Sequence, residues 1–267
     1  MIILPILIPT NVRWQDVKFT TDGLVIRENH LGESDRVISI LTRDRGFISA
    51  FVTGARKPKS KNAASTALLS YSTFLITKSK EHYRVSETEV HSVFFGIRSD
   101  IERLSLAQYI CELCRNLVPE ELDESEDFLR LALNSLSFLE KGKVDILLLK
   151  AIFELRIMTE AGFMPDLVGC RGCGLDTAKK IHLDCNGGEI GCDVCHAVEQ
   201  SKGDTVELDR TTFTAMRHIV YSEFSKLFSF SIPAEHARYL SFVTEKYLLS
   251  QTGFKLKTLD FFHSLGL

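Results

Sequence analysis

The chain has 267 residues, 45% of them hydrophobic and 25% charged, which is enough for one large domain or two small ones around a proper apolar core. A formal net charge of -3 excludes a uniformly basic nucleic-acid-binding protein, although local basic patches stay open. Seven cysteines, four of them in metal-ligand spacing, fit a reducing cytosol better than a disulfide framework.

Residues 1–9 are apolar but short and broken by prolines. They show neither a basic leader nor a small-residue cleavage site, so no signal peptide is predicted. No later run is long enough to span a bilayer, and a soluble cytoplasmic protein without a membrane partner is expected. Residues 1–21 read as an N-terminal extension without an assigned role.

Strands are predicted from Asp22 onward. Residues 24–26 and 37–41 are β-branched runs separated by a Gly-containing loop. The turn Arg43-Asp44-Arg45-Gly46 leads into a third strand over residues 47–53, with Phe47 and Phe51 on one face and Ile48, Ala50 and Val52 on the other. Residues 72–78 and 83–89 are strand-like again, and Val93-Phe94-Phe95 closes the unit. About five short strands within residues 22–96 point to a small closed barrel, with an OB-fold as the leading option.

Helical periodicity starts near Ile97. Ile97, Ile101, Leu104, Ala107, Cys111, Cys114 and Val118 form one stripe, so Cys111-x-x-Cys114 reads as buried core rather than as a redox or metal pair. Pro119 ends this helix. The acidic run over residues 120–127 reads as a solvated loop and helix start. Helices are expected over residues 127–140, 144–161, 210–221 and 234–249. The second is apolar nearly all round and suits the centre of a bundle. The whole is an α+β multidomain chain, its barrel followed by a helical domain over residues 97–267.

Within that domain, at about residues 168–198, lies Cys170-x-x-Cys173 followed after eighteen residues by Cys192-x-x-Cys195. This spacing predicts a zinc site, since four thiolates complete the tetrahedron zinc prefers. A full sulfur shell leaves no position for water, so one structural zinc ion is expected and not a catalytic one. His182, His196 and Cys185 are spare donors that could replace one of the four.

Enzyme signatures are missing from the sequence. It contains no phosphate-binding G-x-x-x-x-G-K-[ST], no H-E-x-x-H, no G-x-S-x-G and no deaminase H-x-E with P-C-x-x-C, so no catalytic residue is assigned. Binding chemistry is better represented. Arg56, Lys57, Lys59 and Lys61 place four cations within six residues, with Arg36, Arg43 and Arg45 before them and Lys78, Lys80 and Arg84 after. Cations that displace counterions, and aromatic faces such as Phe47, Phe51, Tyr71, Phe74 and Tyr83, are what single strands need on a barrel. Core packing for most of these rings, and an ordinary solvated surface for the loop, are the competing explanations.

Gly32-Glu33-Ser34-Asp35-Arg36, Thr42-Arg43 with Gly46, and Gly54-Ala55-Arg56-Lys57-Pro58-Lys59-Ser60 together resemble the start of the RecO family of bacterial recombination mediators. Phe153-Glu154-Leu155, Ala161-Gly162-Phe163 with Pro165, the four cysteines and Leu256-Lys257-Thr258-Leu259 follow in the same order, so the likeness covers about residues 22–262. The resemblance implies an N-terminal OB-fold, a helical domain with a zinc module, and a non-enzymatic, nucleoid-associated role in repair. The implied activities are binding of single- and double-stranded DNA, annealing of complementary strands, and help in loading RecA onto DNA coated by single-strand-binding protein. It implies RecR and the acidic C-terminal tail of single-strand-binding protein as partners, the tail being received near Lys150 and Arg156. The alternatives are a zinc-containing protein–protein adaptor whose barrel binds no DNA, and a nucleic-acid enzyme with zinc as cofactor.

Overall fold

The computed structural model describes residues 17–80, 82–178, 180–195 and 204–266. Strand β1 (Val17–Leu31) pairs antiparallel with β4 (Ser70–Ser79) through residues 17–24 and with β2 (Asp35–Thr42) from Gly23 onward. A register shift between Val25 and Arg27 bends it from one neighbour to the other. Strand β3 (Phe47–Val52) pairs with β2, and β5 (His82–Val93) pairs with β4. A short parallel seam, Ala50 with Tyr83 and Phe51 with Arg84, closes the barrel in the order β1-β2-β3-β5-β4. This is an OB-fold.

Its interior is filled by Val25, Ile38, Ile40, Ile48, Ala50, Val52, Phe74, Ile76 and Val85. β-branched side chains suit a tight pleated wall, and they supply most of this list. The barrel begins at Val17, ahead of the residue-22 start read from the sequence. Residues 17–23 hide their period because Lys18, Thr20 and Asp22 alternate with only one large apolar anchor, Phe19, which packs on the barrel core.

Phe95–Ser99 forms a 3₁₀ turn ahead of α1 (Ile101–Leu117). The Asp100 carboxylate accepts from the N–H groups of Glu102 and Arg103 and starts α1 there. The predicted stripe is therefore broken: Ile97 is buried in the preceding turn and Ile101 is exposed. Cys111 and Cys114 are buried, and burial alone pushes the Cys111 thiol up to about 12, as befits a small hydrophobe.

Helices α2 (Glu126–Lys141), α3 (Ile146–Glu160), α4 (Arg210–Tyr221) and α5 (Ala234–Thr252) complete a bundle. Helix α3 is buried on all sides, packed by α1, α2, α4 and α5. A short α6 (Lys257–Ser264), not anticipated from the sequence, lies on α1, where Glu112 accepts from the N–H and hydroxyl of Thr258. Between α3 and α4 the chain makes a three-stranded sheet in the order β7-β6-β8 from β6 (Ile181–Asp184), β7 (Glu189–Cys192) and β8 (Thr205–Leu208).

Barrel and helices share one apolar core: Leu24, Ile26, Leu41, Phe47, Leu69 and Phe94 join the cluster built by the bundle. The joint is pinned at Gly46, whose N–H donates to Ser125 Oγ while that hydroxyl donates to the Thr42 carbonyl, both at 2.8 Å. Gly46 has φ +59°, and a Cβ there would collide with the Pro119 carbonyl.

The centre of the bundle is charged. Lys150 Nζ lies 2.7 Å from Glu154 Oε1 and 2.7 Å from Glu245 Oε2, with Lys150 1% and Glu154 0% exposed. Tyr109 and Thr244 hydroxyls donate to the two oxygens of Glu154, each at 2.7 Å. Burial pushes the Glu154 carboxyl up, against the pull of Lys150 and the two hydroxyls. Lys150→Met should strand that carboxylate and cost about 3–5 kcal/mol of unfolding free energy in urea. Lys150→Met/Glu154→Gln should recover a large part of the loss, because the fully buried carboxylate is then gone and the partly exposed Glu245 keeps its contact with His263.

Candidate nucleic-acid interface and metal centre

The basic loop between β3 and β4 is a chain of turns tied to the β1–β2 connection. The Gly54 N–H donates to Asp35 Oδ1 at 2.7 Å, the Arg56 N–H to the Ser34 carbonyl at 2.9 Å, and the Arg56 guanidinium to the Gly32 carbonyl at 3.0 Å. Two loops are thereby fixed at one end of the barrel. Arg36 holds the far side: its guanidinium donates to the Ala63 carbonyl at 3.0 Å and to Thr66 Oγ1 at 3.2 Å, and it lies 3.9 Å from Glu28. Arg36, one of the predicted cations, is thus part of the scaffold that shapes the loop. Arg56, Lys57, Lys59 and Lys61 are exposed and make no ion pair with any described residue.

Along the β3–β5 seam lies an open cavity of about 670 Å³, lined by Phe51, Lys80, His82, Tyr83 and Arg84 among others. Among the described residues, two pairs join these strands. Phe51 is 38% exposed, with the His82 ring edge-on at 6.0 Å. Lys80, at φ +54°, forms the tip of the β4–β5 hairpin. On the other side of that tip a second cavity of about 460 Å³ is lined by Phe47, Ser49, Lys78, Lys80, Tyr83, Glu120 and Glu121.

The remaining predicted cations are neutralised from within. Arg43 pairs with Asp22 at 2.7 Å, and that carboxylate raises the Arg43 pKa. The Arg45 guanidinium sits 4.0 Å over the Phe19 ring and 3.9 Å from Asp44. Lys78 Nζ is 2.5 Å from Glu121 Oε1, which also accepts from the Tyr83 hydroxyl at 2.6 Å. Lys78, then Tyr83, hold the Glu121 carboxyl below its usual range. Of the five aromatic candidates, Phe74 fills the barrel, Phe47 fills the joint, Tyr71 and Tyr83 are half-buried, and Phe51 keeps a ring toward solvent. The sequence reading missed His82 as a neighbour of that ring and Glu121 as a partner of Lys78. A His next to the hairpin tip and an acidic run after a basic hairpin were the available signals.

The four cysteines come together on two knuckles. The first is a turn closed by the Gly174 N–H donating to the Cys170 carbonyl at 2.7 Å and by the Cys170 N–H donating to the Leu175 carbonyl at 2.9 Å. It admits no side chain at Gly169, whose Cβ would meet the Gly174 carbonyl. The second knuckle follows β7. All four sulfurs lie within 4.8 Å of one another, with Cys170–Cys195 at 3.1 Å, Cys173–Cys192 at 3.6 Å and Cys192–Cys195 at 3.4 Å. A zinc tetrathiolate has edges of roughly 3.8 Å, so this donor set fits one tetrahedral ion. Burial pushes the Cys170 thiol up. The Cys195 thiol and the N–H groups of Gly172, Cys173 and Cys192 outweigh it and leave Cys170 at about 6, poised to ligate as thiolate. His182 and Cys185 do not join the cluster among the described residues, and His196 lies outside them.

Two family models match the chain, "Recombination protein O N terminal" over residues 17–94 and "Recombination protein O C terminal" over residues 98–260. The DNA repair protein RecO of Acetivibrio thermocellus is 33% identical over 245 residues, covering 92% of this chain and 96% of that protein. The DNA repair protein RecO of Symbiobacterium thermophilum is 27% identical over 252 residues, covering 92% and 97%. The chain belongs to the RecO family.

The N-terminal RecO match starts at the residue where β1 starts, so residues 17–21 belong with the barrel and not with an extension. Both residues expected to receive a partner's acidic tail make contacts within the chain. Lys150 is buried and already holds two carboxylates. Arg156 caps the end of α4, donating to the carbonyls of Ile219, Val220 and Ser222 at 3.0–3.3 Å, and pairs with Glu160 at 2.7 Å. No described helix is long and apolar enough to cross a membrane.

Titration with Co²⁺ should give the intense charge-transfer and d–d bands of a tetrahedral thiolate site at one ion per chain. Cys192→Ser should abolish the stoichiometric complex and lower the melting temperature, whereas Cys185→Ser should leave the spectrum unchanged.

Proposed function

We propose that this chain is a non-enzymatic recombination mediator. In this reading it binds single- and double-stranded DNA on its barrel and anneals complementary strands. With RecR, it helps RecA load onto DNA coated by single-strand-binding protein. The observation that carries the proposal is the group Arg56, Lys57, Lys59 and Lys61, exposed on a loop that hydrogen bonds hold in place and without intramolecular counterions among the described residues. Cations already fixed and unpaired are what a polyphosphate backbone recruits, because they release its condensed counterions without first breaking internal ion pairs. Phe51, with His82, Lys80 and Arg84 around it, adds a ring beside the β3–β5 seam on which an unpaired base can stack. Family membership supports the repair role.

In this reading the cysteine cluster holds a single structural zinc that closes the segment between α3 and α4, and takes no part in contact with DNA. The acidic tail of single-strand-binding protein docks on the helical domain through cations other than Lys150 and Arg156, since both are engaged internally.

Fluorescence anisotropy of a labelled single-stranded oligonucleotide, titrated across a salt series, tests the reading. Replacing Arg56, Lys57, Lys59 and Lys61 together with alanine should reduce the log–log salt slope by roughly 3. Failure of the wild-type chain to bind at low salt would leave the adaptor as the better description.

A further inference from the structure

We propose that Lys78 and the Tyr83 hydroxyl form a phosphate subsite for a nucleic-acid backbone, and that Glu121 occupies it as an internal surrogate which DNA displaces. The inference rests on the reading that the barrel binds DNA.

One carboxylate oxygen of Glu121 is held by two donors of different chemistry, the Lys78 ammonium at 2.5 Å and the Tyr83 phenol at 2.6 Å. An ammonium and a hydroxyl converging on one anionic oxygen are equally suited to a phosphate oxygen. The anion lies on the solvent side: the Glu121 side chain is 60% exposed and that of Lys78 36%. So exposed a pair is weakly held and open to competition from a polyanion. The flanking cavity of about 460 Å³ reaches Lys80 at the hairpin tip, which gives a backbone space to continue toward the seam around Phe51 and Arg84.

The backbone supplies a separate argument. Glu121 has φ +55°, a left-handed conformation that a non-glycine residue adopts only when its surroundings impose it. Its neighbour Glu120 is bridged to Gly46 and Phe47 at the foot of β3, and Ser125 is locked into the Gly46 turn. Residues on both sides of Glu121 are thus anchored, while its own side chain is the part that bends back over the hairpin. Release of Glu121 removes a negative charge from the face and frees Lys78 without dismantling the joint between barrel and helices.

The test compares the wild type with Glu121→Gln, Lys78→Ala and Glu121→Gln/Lys78→Ala, all as full chains, by anisotropy with labelled oligo-dT across a salt series. Glu121→Gly serves as a second variant that accepts the positive φ without strain. Both single Glu121 variants should bind about two- to fivefold more tightly at low salt. Their log–log slope should be steeper by about 0.7, the contribution of one freed cation on a single strand. The gain should vanish when Lys78 is also replaced. Wild-type affinity and slope in both Glu121 variants, with the wild type itself bound, would make Glu121 a mere strut and overturn the surrogate while the barrel reading stands. A gain that survives Lys78→Ala would also overturn it, as the effect would then be general repulsion. Absence of binding by every variant would overturn both.

Discussion

A single buried ion pair, Lys150 with Glu154, sets the geometry of the helical half. Both charges sit one turn apart on α3, the helix that the rest of the bundle surrounds. A helix apolar on every side can rotate or slide against its neighbours with little penalty, so something directional must choose its register. Here Tyr109 from α1 and Thr244 from α5 saturate the oxygens of Glu154, while Ser241 and Glu245 from α5 accept from Lys150. His263 on α6 contacts Glu245 at 3.0 Å, extending the same network to the C-terminal helix. Such a pair contributes little net stability compared with apolar side chains of equal size, but any misaligned packing would leave its members unsatisfied. The apolar surroundings supply the driving force and the charges supply the alignment.

The same accounting of charge, applied to the barrel, sorts cations that look alike in the sequence. Arg36, Arg43 and Arg45 hold loops, carboxylates and rings of their own chain. The cations of the β3–β4 loop make no ion pair among the described residues, although Arg56 also donates to the Gly32 carbonyl. A chain with net charge -3 can therefore present a locally basic face, because its acids are concentrated elsewhere or paired with particular partners. The acidic segment after Pro119 belongs to both classes. It cements the joint through Glu120 and covers part of the barrel face through Glu121.

Legibility from the sequence followed the range of the interaction. The cysteine knuckles were readable because their ligands pair within three residues and the spacing between pairs is itself diagnostic. Strands β2 and β3 were readable from β-branched runs, and α3 from its unbroken apolar content. The first third of β1 was not, since its inward positions are mostly small or polar and only pairing with β4 gives them a wall. The stripe that ran from Ile97 through Ile101 was broken by a capping aspartate, a local signal that periodicity overrode. Lys150 and Glu154 illustrate the opposite lesson. A lysine and a glutamate four apart in an otherwise apolar helix are a readable sign of a buried pair, and the family likeness drew attention to a partner-docking role instead. Contacts such as Lys78 with Glu121 depend on how two halves of the chain meet, which no local pattern encodes.

The joint at Gly46 also fixes how the barrel and the bundle move together. With no side chain at Gly46, the turn meets the Pro119 carbonyl directly, and the apolar residues beneath it belong to one continuous core. Swinging the barrel away would expose that core and break the hydroxyl relay through Ser125. The two halves therefore act as a bracket and not as a hinge. The outer wall of the barrel and the outer face of the bundle are thereby held at a fixed distance and angle, like two arms of one casting.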